Sequence, residues 1–108
     1  MDKIVFITGA SSGIGAGCAR KFASQGASLI LNARNANKLS ALKEELEKQY
    51  GAKIYLLPFD VRDRKAATSA LESLPKEWQS IDILVNNAGL VIGTDKEQEG
   101  SLDEWDIV

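Results

Sequence analysis

A glycine-rich segment near the N-terminus carries the residues whose types and spacing could do chemistry. Residues 8–15 read TGASSGIG and lie between an apolar run and a stretch of helical spacing. A turn in that position can present backbone N–H groups to a pyrophosphate at the start of a helix. The segment therefore predicts a site for a phosphate-bearing ligand, and the alternative is a glycine-rich turn that binds nothing.

Each glycine of this segment has its own expected role. Gly9 permits a tight turn, Gly13 lets a ligand approach the backbone without a Cβ in the way, and Gly15 allows close packing of helix on strand. The candidate ligand contacts are Gly9, Ala10, Ser11, Ser12, Gly13, Ile14 and Gly15.

The strands that must position this turn follow from the apolar pattern. Nearly continuous apolar runs of strand length occupy residues 3–8, 27–32, 53–58 and 81–86. Such runs are typical of parallel strands covered by helices on both faces, and the gaps between them suit one crossover helix each. The sequence therefore predicts an α/β fold, a Rossmann-like doubly wound parallel sheet with its four strands in the order 3-2-1-4.

The intervening segments have helical periodicity. Ile14, Cys18 and Phe22 recur every four residues and predict the apolar face of a first helix, which gives Cys18 a packing role and no function. A second helix is predicted over residues 36–50, and a third after Asp63, which is a good N-cap residue.

The C-terminal residues predict the start of another helix. Residues 101–104 read SLDE, a capping box, so residues 105–108 would add one turn at most. The apolar run at residues 81–86 would then form an exposed hydrophobic strand edge. We therefore expect residues 1–108 to be the N-terminal portion of a single, longer domain whose remainder lies beyond Val108, and the alternative is a frayed natural tail.

Composition excludes several classes of function. The 108 residues suit one small domain, and a net charge of −2 makes nucleic acid an unsuitable partner. Absence of histidine removes Ser-His-Asp triads and most zinc sites, and the acidic stretch at residues 94–106 is expected to be solvated, so no metal is predicted. The single cysteine and the absence of a long apolar run predict a cytoplasmic protein without a membrane segment.

Two motifs together carry a family resemblance. TGASSGIG at residues 8–15 and NNAG at residues 86–89 resemble the motifs of the short-chain dehydrogenase/reductases, in the same order and at a similar separation. Residues 74–93 are most similar to the branch of NADP-dependent 3-hydroxy acid and serine dehydrogenases. The resemblance implies hydride transfer between a nicotinamide and a small hydroxy acid or another alcohol or carbonyl substrate. It also implies a homo-oligomer for the full-length protein.

The end of the second strand predicts which dinucleotide is bound. An acid there would bond the ribose hydroxyls of NAD and repel a 2′-phosphate, whereas this chain has Ala33, Arg34 and Asn35. The guanidinium of Arg34 suits bidentate phosphate recognition, so NADP is the expected cofactor. Relatives often carry a second basic residue where this chain has Asn35, so the clamp could be weaker or could use Lys38. The alternative role of Arg34 is a solvated surface residue.

The resemblance assigns further cofactor contacts. Asp60 and Val61 match the positions at which an acid and the next backbone group contact adenine, and the alternative for Asp60 is a turn-forming residue that bonds local backbone. Asn87, with Ala88 and Gly89, matches the segment along the adenosine ribose, and Asn86 is expected to hold the sheet together. The alternative is a plain Asn-rich turn.

The catalytic residues that the resemblance implies have no counterpart here. The family uses a Tyr with a Lys four residues later, a Ser and an Asn, whereas Ile54 follows Tyr50 at that spacing and Phe59 follows Tyr55. We therefore expect these 108 residues alone to be inactive. The favoured hypothesis is the cofactor-binding part of an NADP-dependent oxidoreductase. The alternatives are a non-catalytic NADP(H)-binding module and an inert structural remnant.

Overall fold

One parallel sheet organises the computed structural model of the chain, which describes residues 2–60, 62–87 and, for the backbone, 106–107. Its strands are β1 (Ile4–Thr8), β2 (Ser28–Ala33), β3 (Ile54–Pro58), β4 (Ile83–Asn86) and β5 (Asp106–Ile107). They lie in the order β3-β2-β1-β4-β5, and every neighbouring pair is parallel. The predicted order 3-2-1-4 of the first four strands is confirmed.

The helices that connect the strands begin at capping residues. They are α1 (Gly13–Ser24), α2 (Ala36–Tyr50) and α3 (Arg64–Glu72), and one 3₁₀ turn follows at Lys76–Trp78. Ser12, Asn35 and Asp63 each accept a backbone N–H of the first helical turn, as N-cap residues do. Gly51 ends α2 at a φ of 64°, the left-handed conformation that glycine adopts without strain.

The core lies in two layers, one on each face of the sheet. Along β1 the side chains alternate, so that Val5 and Ile7 pack on one side and Phe6 on the other. The first layer holds the buried faces of α1 and α2, and the second holds Trp78 and the partly buried residues of α3. Helices on both faces are the doubly wound arrangement that the apolar runs predicted.

The face of α1 that meets the sheet differs from the prediction. Ile14 is 74% exposed and Cys18 is only partly buried, whereas the small residues Ala16, Ala19 and Ala23 form the buried face. The prediction for Ile14 as a packing residue is therefore wrong. Small side chains let the helix lie close to the sheet, and larger residues then occupy the flanks or the solvent side.

The C-terminal residues also differ from the prediction. Asp106 and Ile107 pair with Ile83 and Leu84 as a short parallel strand, so the predicted helical turn is wrong at residues 106–107. An open strand edge offers unpaired N–H and C=O groups, which an extended segment satisfies, whereas a single helical turn has little stability. Ile83 and Leu84 on the edge of β4 are therefore paired, whereas the sequence indicated an exposed edge if no further strand followed. The predicted capping box at residues 101–104 lies outside the described residues.

Candidate functional site

The glycine-rich turn between β1 and α1 has the geometry that its sequence predicted. Gly9 has a φ of 61°, which permits the reversal of the chain after β1. A Cβ at Gly15 would lie 2.2 Å from the carbonyl oxygen of Gly9, so helix and turn are in direct backbone contact. A Cβ at Gly13 would have no atom within 4 Å, so the space beside this residue is open to a ligand. The turn role predicted for Gly9 is confirmed, and Gly15 is a close-packing position as predicted, although it meets the turn rather than the strand.

Ser12 and Asn87 hold the turn in this shape. The Ser12 Oγ donates to the Gly9 carbonyl at 2.9 Å and accepts the Gly15 N–H at 3.1 Å. Asn87, which directly follows β4, donates its Nδ2 to the Ser12 Oγ at 2.8 Å and to the Gly9 carbonyl at 3.1 Å. The sheet order places Asn87 beside the turn, although 75 residues separate it from Ser12. This positioning contact was not predicted from the sequence.

The backbone N–H groups of the turn divide into used and available donors. Ala10 is fully buried and donates its N–H to the Asn32 carbonyl at 2.7 Å, so this donor is not presented to a ligand. Ser11 is half-buried. Gly13 and Ile14 occupy the first two positions of α1, where an N–H group has no carbonyl partner within the helix. These donors, with the positive end of the helix dipole, can bind an anion.

Arg34 and Asn35 follow β2 and have different surroundings. Arg34 is exposed, and Ala33 before it is buried. The Asn35 Oδ1 accepts the N–H groups of Asn37 and Lys38 at 3.0 and 3.1 Å, which makes it the N-cap of α2. The structure therefore gives Asn35 a capping role, for which its side-chain type was a recognisable signal.

Asp60 is the second residue after β3, and Arg62 binds its carboxylate. The Arg62 side chain donates to both carboxylate oxygens, with Nη2 at 2.9 Å from Oδ2, and its backbone N–H donates to Oδ1 at 2.9 Å. These hydrogen bonds, helped by the positive charge of Arg34, lower the pKa of Asp60 from 3.8 to about 2. Asp60 thus has the local backbone bond of a turn-forming residue and is also an ionised acceptor near Arg34.

Asn32 is a polar residue of this region that sequence reasoning left without a role. It is fully buried on β2, and its Nδ2 donates to the carbonyl oxygens of Leu57 and Phe59 at 3.0 and 3.1 Å. A polar residue within an otherwise apolar, buried strand was the signal, because such a residue needs hydrogen-bond partners.

Three predicted site residues, Val61, Ala88 and Gly89, lie outside the described residues. Asn86 is described at the end of β4, where its Oδ1 lies 3.2 Å from the Thr8 hydroxyl and links β4 to β1 as expected. Within residues 2–60 and 62–87, no group of three or more potential metal ligands occurs. Over the same part of the chain, no helix is long and apolar enough to cross a membrane.

Comparison with known proteins supplies the family context for this geometry. The sequence model of the short chain dehydrogenase family matches residues 3–108. The chain is 43% identical over 105 residues to the NADP-dependent 3-hydroxy acid dehydrogenase YdfG of Escherichia coli K12. That match covers 97% of this chain and 41% of the relative, so the chain spans less than half the length of that protein.

Solved structures agree with the sequence match. A serine dehydrogenase from Escherichia coli superimposes with a TM-score of 0.72 at 43% identity, over 94% of this chain and 45% of the other. The L-sorbose reductase from Gluconobacter frateurii, complexed with NADPH and L-sorbose, superimposes with a TM-score of 0.75 at 35% identity, over 80% of this chain and 33% of the other.

Proposed function

Because this chain belongs to the short chain dehydrogenase family, we propose that it is the NADP-binding part of an oxidoreductase that transfers hydride between nicotinamide and a small hydroxy acid or another alcohol or carbonyl compound. The observation that carries the proposal is the turn at Gly9–Gly15, with open space at Gly13 and available N–H donors at the start of α1. Arg34, at a strand end without an acid, supports NADP over NAD.

Residues at the carboxyl ends of three strands would hold the cofactor. The N–H groups of Gly13 and Ile14 would bind the pyrophosphate, and Arg34 the 2′-phosphate. The carboxylate of Asp60, kept ionised by Arg62, would accept a hydrogen bond from the amino group of adenine. The bound cofactor would supply or accept the hydride, and the residues of this chain would bind and orient the nucleotide.

The substrate and the assembly of the whole protein extend this proposal. YdfG and the serine dehydrogenase act on small hydroxy compounds according to their names, which supports a substrate of that class. Residues 1–108 contain no Tyr-x-x-x-Lys, so we propose that the chain alone binds the cofactor without turnover. A cytoplasmic homo-oligomer is the corresponding proposal for the full-length protein.

The test is a binding and activity measurement on the full-length protein expressed from its own gene. NADPH is titrated by fluorescence, and NADPH oxidation is then followed with 2- and 3-oxo acids. Tight NADPH binding with turnover supports the proposal in full. Binding without turnover would leave an NADP(H)-binding module, and failure to bind NADPH would refute the cofactor assignment.

A further inference from the structure

Asn32 is a buried polar side chain that the proposed contacts with NADP do not use. Among the described residues, Asn32 and Thr8 are the buried polar residues of the core, each with 0% exposure. Burying a primary amide is unfavourable unless its hydrogen bonds are made. An apolar residue, as at the neighbouring positions of β2, would avoid that cost. The polar residue at this point therefore calls for an explanation from its contacts.

The amide of Asn32 is used to fix the end of β3. Its Nδ2 donates to two carbonyl oxygens, of Leu57 at 3.0 Å and of Phe59 at 3.1 Å. Both partners are acceptors, which assigns the nitrogen to that side of the amide. Phe59 directly precedes Asp60 in the chain. The bond to the Phe59 carbonyl therefore fixes the backbone at the point where the chain leaves the sheet, directly before the residue that carries the Asp60 carboxylate.

The main chain of Asn32 reaches the other two segments of the site. Its carbonyl oxygen accepts the N–H of Ala10 at 2.7 Å, within the glycine-rich turn. Arg34 follows two residues later on the same chain segment. One residue thus connects the segments that carry the proposed pyrophosphate, 2′-phosphate and adenine contacts, and its side chain bonds the residue before Asp60.

We infer that Asn32 is a positioning residue for the adenosine half of the cofactor, because its side chain holds the Phe59–Asp60 segment against β2. This inference rests on the proposed function and adds to it a residue that acts through Asp60. A loss of this side chain loosens the adenine contact and leaves the glycine-rich turn in place, since the turn is bound by the Asn32 backbone.

The test uses Asn32→Leu, which keeps the branching of the side chain at Cγ and removes both N–H donors. The probes are NADPH and 2′,5′-ADP, which contains the adenosine and its 2′-phosphate but no nicotinamide. We expect the dissociation constants of both probes to rise about tenfold, as for the loss of a hydrogen-bonded contact. Hydrogen exchange in residues 58–63 is expected to become faster in the same variant.

The matched control is Ile30→Ala, on the same strand and the same face as Asn32. Ile30 is fully buried in the apolar cluster against which Phe59 packs, so this variant also destabilises the core, but its side chain makes no hydrogen bond to the Phe59–Asp60 segment. Both probes should bind Ile30→Ala within about twofold of the wild-type constant. All binding is measured well below the unfolding temperature of each variant, and Asn32→Ser replaces Asn32→Leu if the latter does not fold.

Three results separate the possible failures. Unchanged binding of 2′,5′-ADP by a folded Asn32 variant would overturn this inference while wild-type NADPH binding upheld the proposed function. Equal loss of affinity in Asn32→Leu and Ile30→Ala would show a merely structural role and would overturn the inference too. Wild-type protein that bound neither probe would refute the proposed function, and the inference with it.

Discussion

The charge at position 34 decides, in our proposal, which dinucleotide is bound. We expect Arg34→Glu to weaken NADPH binding relative to NADH by about 2 kcal/mol or more, because a charge-assisted pair becomes a repulsion. Parallel titrations of NADPH and NADH would measure the difference. Lys48→Glu, which makes the same charge change in the last turn of α2, serves as control and should leave the ratio unchanged. Equal losses for both cofactors in Arg34→Glu would refute Arg34 as the discriminating residue.

The Asp60–Arg62 pair gives a pH-dependent stability. The folded-state pKa of Asp60 is about 2, below its ordinary 3.8, so the pair stabilises the fold above about pH 4 and loses this effect as the pH falls towards 2. Arg62→Met removes the pair. Its urea midpoint should therefore lie below that of the wild type at neutral pH and approach it between pH 4 and pH 2. The control is Lys65→Met, because Lys65 is an exposed residue of α3. A difference between the urea midpoints of Arg62→Met and the wild type that did not change with pH would contradict a stabilising role of the Asp60–Arg62 pair.

At the scale of elements, substitutions of the glycines of α1 distinguish a packing role from a role in ligand access. Gly15→Ala should cost about 2–3 kcal/mol of stability, because its Cβ would meet the Gly9 carbonyl oxygen at 2.2 Å. Gly17→Ala has open space and should stabilise the helix by about 0.5–1 kcal/mol. Gly13→Ala should leave stability unchanged or raised and weaken NADPH binding about tenfold. Urea unfolding and NADPH titration of the three variants would test this order, and normal NADPH binding by Gly13→Ala would contradict the ligand role of that open space.

Asn35 tests whether one residue starts α2 or contacts the cofactor. Because Asn35 is the N-cap residue, the protein should lose about 1 kcal/mol of stability in Asn35→Ala. Asn35→Asp, in contrast, keeps an acceptor for the same two backbone N–H groups. The aspartate would place an acid beside the proposed 2′-phosphate site, so NADPH binding should weaken while stability is retained. Thermal unfolding and titration of both variants would separate the two roles. A stable Asn35→Ala would exclude the capping role.

On the scale of the whole molecule, cofactor binding should stabilise the fold, because the proposed contacts come from three different chain segments. At an NADPH concentration of about 100 times the dissociation constant, the free energy of unfolding should rise by about 2.7 kcal/mol. Thermal unfolding with NADPH, NADH or neither would measure it. NADH at the same concentration should stabilise less, and Arg34→Glu should remove that difference. Equal stabilisation of the wild type by both cofactors would contradict the preference for NADP.

Local sequence determined most of the elements of this protein. The apolar runs predicted the first four strands and their parallel order, helical spacing placed α2 at residues 36–50, and the N-cap residue Asp63 marked the start of α3. The glycine spacing predicted the turn between β1 and α1. Gly9 adopts a positive φ and Gly15 lies against the backbone of the turn, and both are possible because glycine has no Cβ. These features depend on near neighbours in the chain, so their pattern can be recognised without the fold.

Tertiary structure decided the contacts between distant residues. Asn87 bonds Ser12 only because β4 lies beside β1, and Asn32 bonds Phe59 only because β3 lies beside β2. The exposure of Ile14 depends on how closely α1 approaches the sheet, and the strand at Asp106–Ile107 depends on the open edge of β4. In each case the local sequence pattern is compatible with more than one contact, burial or secondary structure. The neighbouring element selects between them, and the position of that element cannot be deduced from local periodicity.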